Sequence, residues 1–319
     1  MQFVGIAIMA VATDFRLFAF GSTLLGFCSI SPYLLPTYVS KRTRPEELGR
    51  VTAILTTGVI GGILIARSGA GVIAQHFGWR AVYIAASTLM LAVSIGVPFL
   101  MDEDAEAHAS EPMSYGALIA SLFGIVRDHP SILLAGAIQM LGFGTFLAIW
   151  LGLGLHLTSP TMGYGVDVVG YLALFSAVNL VLTPRLGRMA DRLGAEKARA
   201  YCLIVQFAGV LMLAPFGHSL WLLMIPIVIL NIAGPTIDIA NRMTFLSQPP
   251  AIRTRLMTVY IVMMFVGGGI SSWAATAAYA WGGWNADAAL SALMMGTALI
   301  LGWIGYWRAR PLSVARRAG

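Results

Sequence analysis

The chain has 319 residues, 58% of them hydrophobic and only 11% charged, with a mean hydropathy of +0.80 and a net charge of +6. A soluble protein carries about 25% charged residues; a chain this apolar has too little polar surface to face water, so its solvent is lipid. The basic excess invites a nucleic-acid role, and the placement of the charges argues against it below.

Apolar runs cover 1–12, 16–39, 51–75, 79–101, 131–155, 166–186, 200–217, 219–240, 256–280 and 286–307. Most approach the roughly 20 residues that a helix needs to cross the hydrocarbon core. Such spans must satisfy their own backbone groups, so the sequence predicts an all-α polytopic membrane protein with about ten transmembrane helices. The first run would make only about 18 Å of helix. It lacks a basic leader and a small-residue cleavage site, and so reads as the tail of a helix rather than as a signal peptide. Between the fourth and fifth runs, Asp102 to Pro112 is an acidic, polar linker. Met113 to Arg127 follows with Leu118, Leu122 and Ile125 at helical spacing, predicting a helix on the membrane surface.

Lys and Arg orient these spans. Seventeen of the twenty basic residues fall in one set of alternate connections and in the C-terminal tail, among them Lys41, Arg50, Arg127, Arg188, Arg199, Arg242, Arg255 and Arg316. The opposite side holds only Arg16 and Arg80, and Arg67 lies inside a span. This asymmetry predicts a multi-pass protein with a cytoplasmic C-terminus, and it accounts for the basic charge without nucleic acid.

The chain also repeats itself. A shift of 205 residues superimposes Pro45 on Pro250, Arg50 on Arg255, Gly62 on Gly267, and Gly78-Trp79 on Gly283-Trp284. Both copies read as basic loop, glycine-containing span, Gly-Trp turn and return span, the pattern of two parallel repeats. The expected domains are an incomplete first bundle over 1–101, a linker with a surface helix over 102–130, a six-helix second bundle over 131–310 and a tail over 311–319. If the halves match, about 75 residues with two further spans would precede Met1; a complete ten-span protein is the alternative.

Three motifs carry a resemblance. The first joins Pro45-Glu46-Glu47-Leu48-Gly49-Arg50 to Gly61-Gly62-Ile63-Leu64-Ile65-Ala66-Arg67 and Gly78-Trp79-Arg80. The second is Gly187-Arg188-Met189-Ala190-Asp191-Arg192-Leu193-Gly194, and the third is Asn241 with Arg253-Thr254-Arg255 and Gly267-Gly268-Gly269. With these the chain resembles a major facilitator superfamily protein of the bacterial drug-and-metabolite efflux type, beginning partway through the family's third helix. The resemblance implies two helix bundles around a cavity, alternating access, a proton gradient in place of any bound cofactor or metal, and residence in a bacterial inner membrane. It also implies that the loop with Gly187, Arg188, Asp191, Arg192 and Gly194 latches the bundles. Many relatives carry Gly-Pro where this chain has Ala66-Arg67, which limits transfer of the usual antiporter motif.

Physical chemistry singles out further residues. A cation inside a span is costly unless it faces water or a partner, so Arg67 is expected to meet an anionic substrate group or a coupling carboxylate. A structural ion pair or snorkelling to the interface is its alternative. Asn231, Asp238 and Asn241 are spaced by seven and three, roughly one helical face. Asp238 is expected to carry protons, or else to pair with Arg242 and the loop arginines. Gln139, Trp150, Asn179 and Tyr33 are expected to line the cavity, against the commoner alternative of interhelical hydrogen bonds. The glycines at 58, 61, 62 and 267 to 269 are expected at close helix approaches.

Three functional readings follow. The first is a secondary transporter, not an enzyme, acting as a monomer in the bilayer on a small-molecule substrate and driving efflux by proton antiport. The second is a ten-helix drug/metabolite-type permease, and the third is a truncated membrane remnant without transport.

Overall fold

A chain with so few interruptions to its apolar runs has one way to satisfy its backbone in lipid, and helices are what it forms. The computed structural model describes residues 1–29, 47–100, 115–246 and 248–315. Among them every regular element is helical and six helices are long and apolar enough to cross a membrane. The chain divides into two compact units: residues 1–110 with 165–177, and residues 111–164 with 178–319.

In the first unit, α1 (Gln2–Val11) and α2 (Phe15–Cys28) are joined by a short turn. Asp14 caps α2 by accepting from the Leu17 amide at 2.9 Å, and the Arg80 guanidinium closes the end of α1 by donating to the Ala12 carbonyl at 2.9 Å. α3 (Leu48–Phe77) and α4 (Trp79–Leu100) meet at Gly78, whose φ of +80° only glycine adopts cheaply. The spans Thr57–Phe77 and Trp79–Phe99 are only 6% buried within the protein, leaving apolar surface suited to lipid.

The short α7 (Val166–Leu174) belongs to this unit, although its sequence lies within the expected second bundle. The reason is a glycine contact. A Cβ at Gly71 would come within 3.0 Å of the Gly170 Cα, so two bare backbones let α3 and α7 touch. Gln75 of α3 secures the contact by accepting from the Val166 amide at 2.9 Å. A Cβ at Gly58, Gly61 or Gly62 meets nothing among the described residues, so the close approach shown on α3 is at Gly71.

The second unit contains α5 (Tyr115–Asp128), α6 (Ser131–Leu157), α8 (Val178–Leu193), α9 (Ala195–Leu211), the single-turn α10 (Leu213–Phe216), α11 (Leu220–Leu246) and α12 (Pro250–Ala315). α12 is two limbs broken at Gly282 and Gly283, the latter with φ +61°. Gly78 and Gly283, paired by the 205-residue repeat, thus make the same left-handed turn before a tryptophan. α6 is the centre of the unit, with half of its span buried. A Cβ at Gly267 would lie 2.7 Å from the Met140 carbonyl oxygen, and one at Gly268 would lie 2.9 Å from the Phe143 ring, so these two glycines do allow close packing; Gly269 faces open space. At one end Ile125, Ile132, Ala135, Phe245, Leu256 and Tyr260 form a buried cluster that fixes α5 to α6, α11 and α12.

Candidate functional site

The beginnings of α6, α9 and α12 and the end of α11 lie at one end of the second unit. Three polar side chains, from α6, α9 and α11, would be expensive there singly, and they are buried together. Gln139 of α6 is 8% exposed, Arg199 of α9 3% and Asn241 of α11 0%. The Asn241 amide donates to Gln139 Oε1 at 3.3 Å, and Arg199 Nη1 donates to Asn241 Oδ1 at 3.4 Å. Gln139 Nε2 in turn points at the Met264 sulfur of α12 at 3.7 Å. These are long hydrogen bonds, and together they tie four helices through Asn241 and Gln139. The Arg199 Nε has no hydrogen-bond partner, and Glu196, three residues earlier, supplies a compensating charge within electrostatic reach.

One turn away stands a charge-paired group. Asp238 of α11 accepts from the Tyr260 hydroxyl at 2.6 Å and from Arg242 Nε at 2.9 and 3.0 Å. The Arg242 guanidinium also lies 5.4 Å from the centre of the Tyr260 ring. Tyr260 is fully buried, whereas the Asp238 and Arg242 side chains keep 27% and 29% exposure. The group is therefore a short-range ion pair with one exposed side and one buried side. Neutralising the carboxylate weakens its hydrogen bonds to both donors at once.

Of the sequence-predicted residues, Gln139, Asp238 and Asn241 thus come together on neighbouring helices. Asn231 is buried at 5% exposure, and its Nδ2 donates to the Ile227 carbonyl of its own helix at 2.8 Å. Trp150 stands half-buried on α6, its ring edge-on to Phe146 at 6.2 Å. Arg67 is a half-buried side chain of the first unit, ten residues from each end of the span Thr57–Phe77, about 15 Å by helical rise. Asn179 lies on α8, its side chain outside the described residues, and Tyr33 lies outside them altogether.

The segment Gly187 to Leu193 is helical rather than a loop. Its side chains continue the amphipathic pattern of α8, and the helix stops only at Gly194, where φ is +85°. Arg188 and Arg192 line a cleft of about 300 Å³ with Arg185, Met189 and Leu193; Asp191 sits between them on the same helix.

Arg199 and Tyr260 were not legible as site residues. Arg199 follows a basic stretch and reads as a loop cation, and nothing around Tyr260 sets it apart from other apolar-run aromatics. Asp287, described below, had a signal: it is the only acid in the run 286–307.

The sequence matches the Major Facilitator Superfamily profile over residues 1–248 and over 155–319. The uncharacterized transporter YgaY of Escherichia coli is 26% identical over 309 residues, covering 95% of this chain and 76% of that protein. A probable transporter of Streptomyces coelicolor is 29% identical over 279 residues, covering 86% of this chain and 62% of its own length. The multidrug resistance protein MdtG of Salmonella newport is 27% identical over 194 residues, 60% of this chain and 46% of MdtG. The fold is shared with the Escherichia coli fucose:proton symporter FucP, at TM-score 0.57 and 16% identity over 95% of this chain and 81% of that one. It is shared also with an inward-facing bacterial homolog of the human lysosomal transporter Spinster, at TM-score 0.62 and 14% identity over 97% of this chain and 80% of that one.

Proposed function

The chain belongs to the Major Facilitator Superfamily, and on that footing we propose that it is a secondary transporter exporting small drug- or metabolite-like compounds in exchange for protons. The observation that carries the coupling is Asp238, a part-exposed carboxylate held by Tyr260 and Arg242 beside a buried network that joins four helices. Arrival of a proton on Asp238 discharges the pair and loosens α11 from α12. Loss of the proton restores it. Coupling follows when substrate and proton favour opposite states of that contact, as alternating access requires.

Arg67, in mid-span, supplies a cation for an anionic group of the substrate or for a carboxylate that neutralises it. The α8 arginines Arg188 and Arg192, with Asp191, act as a conformational latch rather than as ligands. The basic end of the second unit faces the cytoplasm of a bacterial inner membrane, which also places the C-terminus inside. The single chain is the working unit. Export is favoured over uptake by the similarity to MdtG, whose name records multidrug resistance. The match over both halves favours this reading over a ten-span permease of another class.

Purified protein in proteoliposomes with an imposed pH gradient tests the proposal against a panel of fluorescent amphiphiles. Asp238→Asn and Arg67→Ala should each lower gradient-driven flux about tenfold, the equivalent of about 1.4 kcal/mol, while leaving the helical content intact. Unchanged flux in both variants removes these assignments. Folded wild-type protein that moves no compound supports the non-transporting reading instead.

A further inference from the structure

We propose that Asp287 and Ser291 form a site for a small monovalent cation, a proton or Na⁺, at the end of the second unit opposite Asp238. Asp287 is 1% exposed and Ser291 0%. Both carboxylate oxygens and the Ser291 hydroxyl lack any hydrogen-bond partner. The two residues are four apart on the second limb of α12, so their oxygens share one face of the helix. Three buried oxygens on one face with no hydrogen-bond partner among the described residues make a candidate ligand set. A buried carboxylate left unpaired is too costly to retain, so a proton or a metal cation must neutralise it. Oxygen donors suit either one, and hard cations in particular.

The site is built rather than incidental. Asp287 comes four residues after the break at Gly283 and three after Trp284. Trp284 anchors the limb: its indole N–H donates to the Leu213 carbonyl at 2.9 Å, and its ring stacks on His156 at 4.8 Å. On α6, a Cβ at Gly152 would collide with Asp287 Oδ2, so a glycine stands where the carboxyl needs room. Asp287 does not serve as a cap for its own limb, because no first-turn amide donates to it. The groups facing this region from neighbouring elements are few. His156 of α6 spends its Nε2 on the Gly217 carbonyl at 2.7 Å. Tyr279, in the first limb of α12, is within electrostatic reach of the carboxyl. α10 and the turn after it contribute the uncharged Leu213 and Gly217. Among the described residues, no cationic side chain is hydrogen-bonded to the carboxyl.

This inference does not rest on the transport reading, and direct binding tests it. Infrared difference spectra of the full-length protein in detergent, recorded from mildly acidic to mildly alkaline pH in choline chloride and in NaCl, report the carboxyl band. A band that disappears as pH rises and is absent in Asp287→Asn identifies a proton site. A band, or a calorimetric heat, that responds to Na⁺ at fixed pH and is lost in the same variant identifies a Na⁺ site. Ser291→Ala removes one oxygen without altering the helix and should weaken occupancy about tenfold, roughly one hydrogen bond's worth. The proposal is overturned if wild type and Asp287→Asn give the same spectra and heats, or if neither pH nor Na⁺ changes the wild-type band. A protein that binds the cation yet carries no flux would sink the transport proposal alone.

Discussion

The two ends of the second unit each hold one inward carboxylate, and they treat it in opposite ways. Asp238 has a guanidinium at 2.9 Å, a hydroxyl at 2.6 Å and an exposed side. Asp287 has neither partner nor water-facing side. The difference separates two uses of the same functional group. A paired, part-exposed carboxylate stabilises the helix contact that it bridges, and discharging it loosens that contact. An unpaired, dry one is a liability until something small and positive arrives. A buried carboxylate is therefore a clasp or a socket according to what surrounds it, and its depth alone does not say which.

The comparison can be broken in order of expected effect. The largest loss of stability should come from Asn241→Leu, about 3 kcal/mol, because one substitution strips both Gln139 and the buried Arg199 of their shared partner. Thermal melting in detergent checks it, and a loss below about 1 kcal/mol would show that the network does not hold the helices together. Next come the two carboxylates themselves, where the signs differ. Asp238→Asn should destabilise by about 1.5 kcal/mol, its partial exposure trimming the cost. Asp287→Asn, measured without added Na⁺ at mildly alkaline pH, should be neutral or stabilising by up to about 1 kcal/mol. Equal losses in the two variants would erase the distinction between clasp and socket. The smallest effect is a coupling. Gly152→Ala should cost about 1 kcal/mol by overpacking the carboxyl, and that cost should vanish in the Asp287→Ala background. Additive costs would mean that Gly152 is not there to make room for Asp287.

Much of this was legible before any coordinates. The Gly-Trp repeat at 78 and 283 is realised as two glycines of positive φ, each opening the helix that follows. Such a turn is specified by local backbone sterics, which a short motif can carry. The proximity of Gln139, Asp238 and Asn241 was expected only in part: the spacing of seven and three put Asn231, Asp238 and Asn241 on one face without saying which of them meet other helices. Asn231 donates to the Ile227 carbonyl one turn back, while Asn241 joins Gln139 and Arg199 from two other helices. Arg199 was hidden because a basic residue at the edge of an apolar run looks the same whether it faces headgroups or a neighbouring asparagine. Among the described residues the close crossing of α3 is made at Gly71 and Gly170 rather than at Gly61 and Gly62, since a glycine motif reports that an approach is permitted and not where the partner lies.

By itself, then, the sequence determined the solvent, the helical class, the repeat and the family, because hydropathy, charge asymmetry and local turn chemistry are written residue by residue along the chain. Only the tertiary structure decided which polar groups share a partner and which stand alone. That depends on neighbours more than a hundred residues away, such as Gln139 and Asn241 or Gly152 and Asp287, and a carboxylate's cost in a low-dielectric interior is set by those neighbours rather than by its place in the chain.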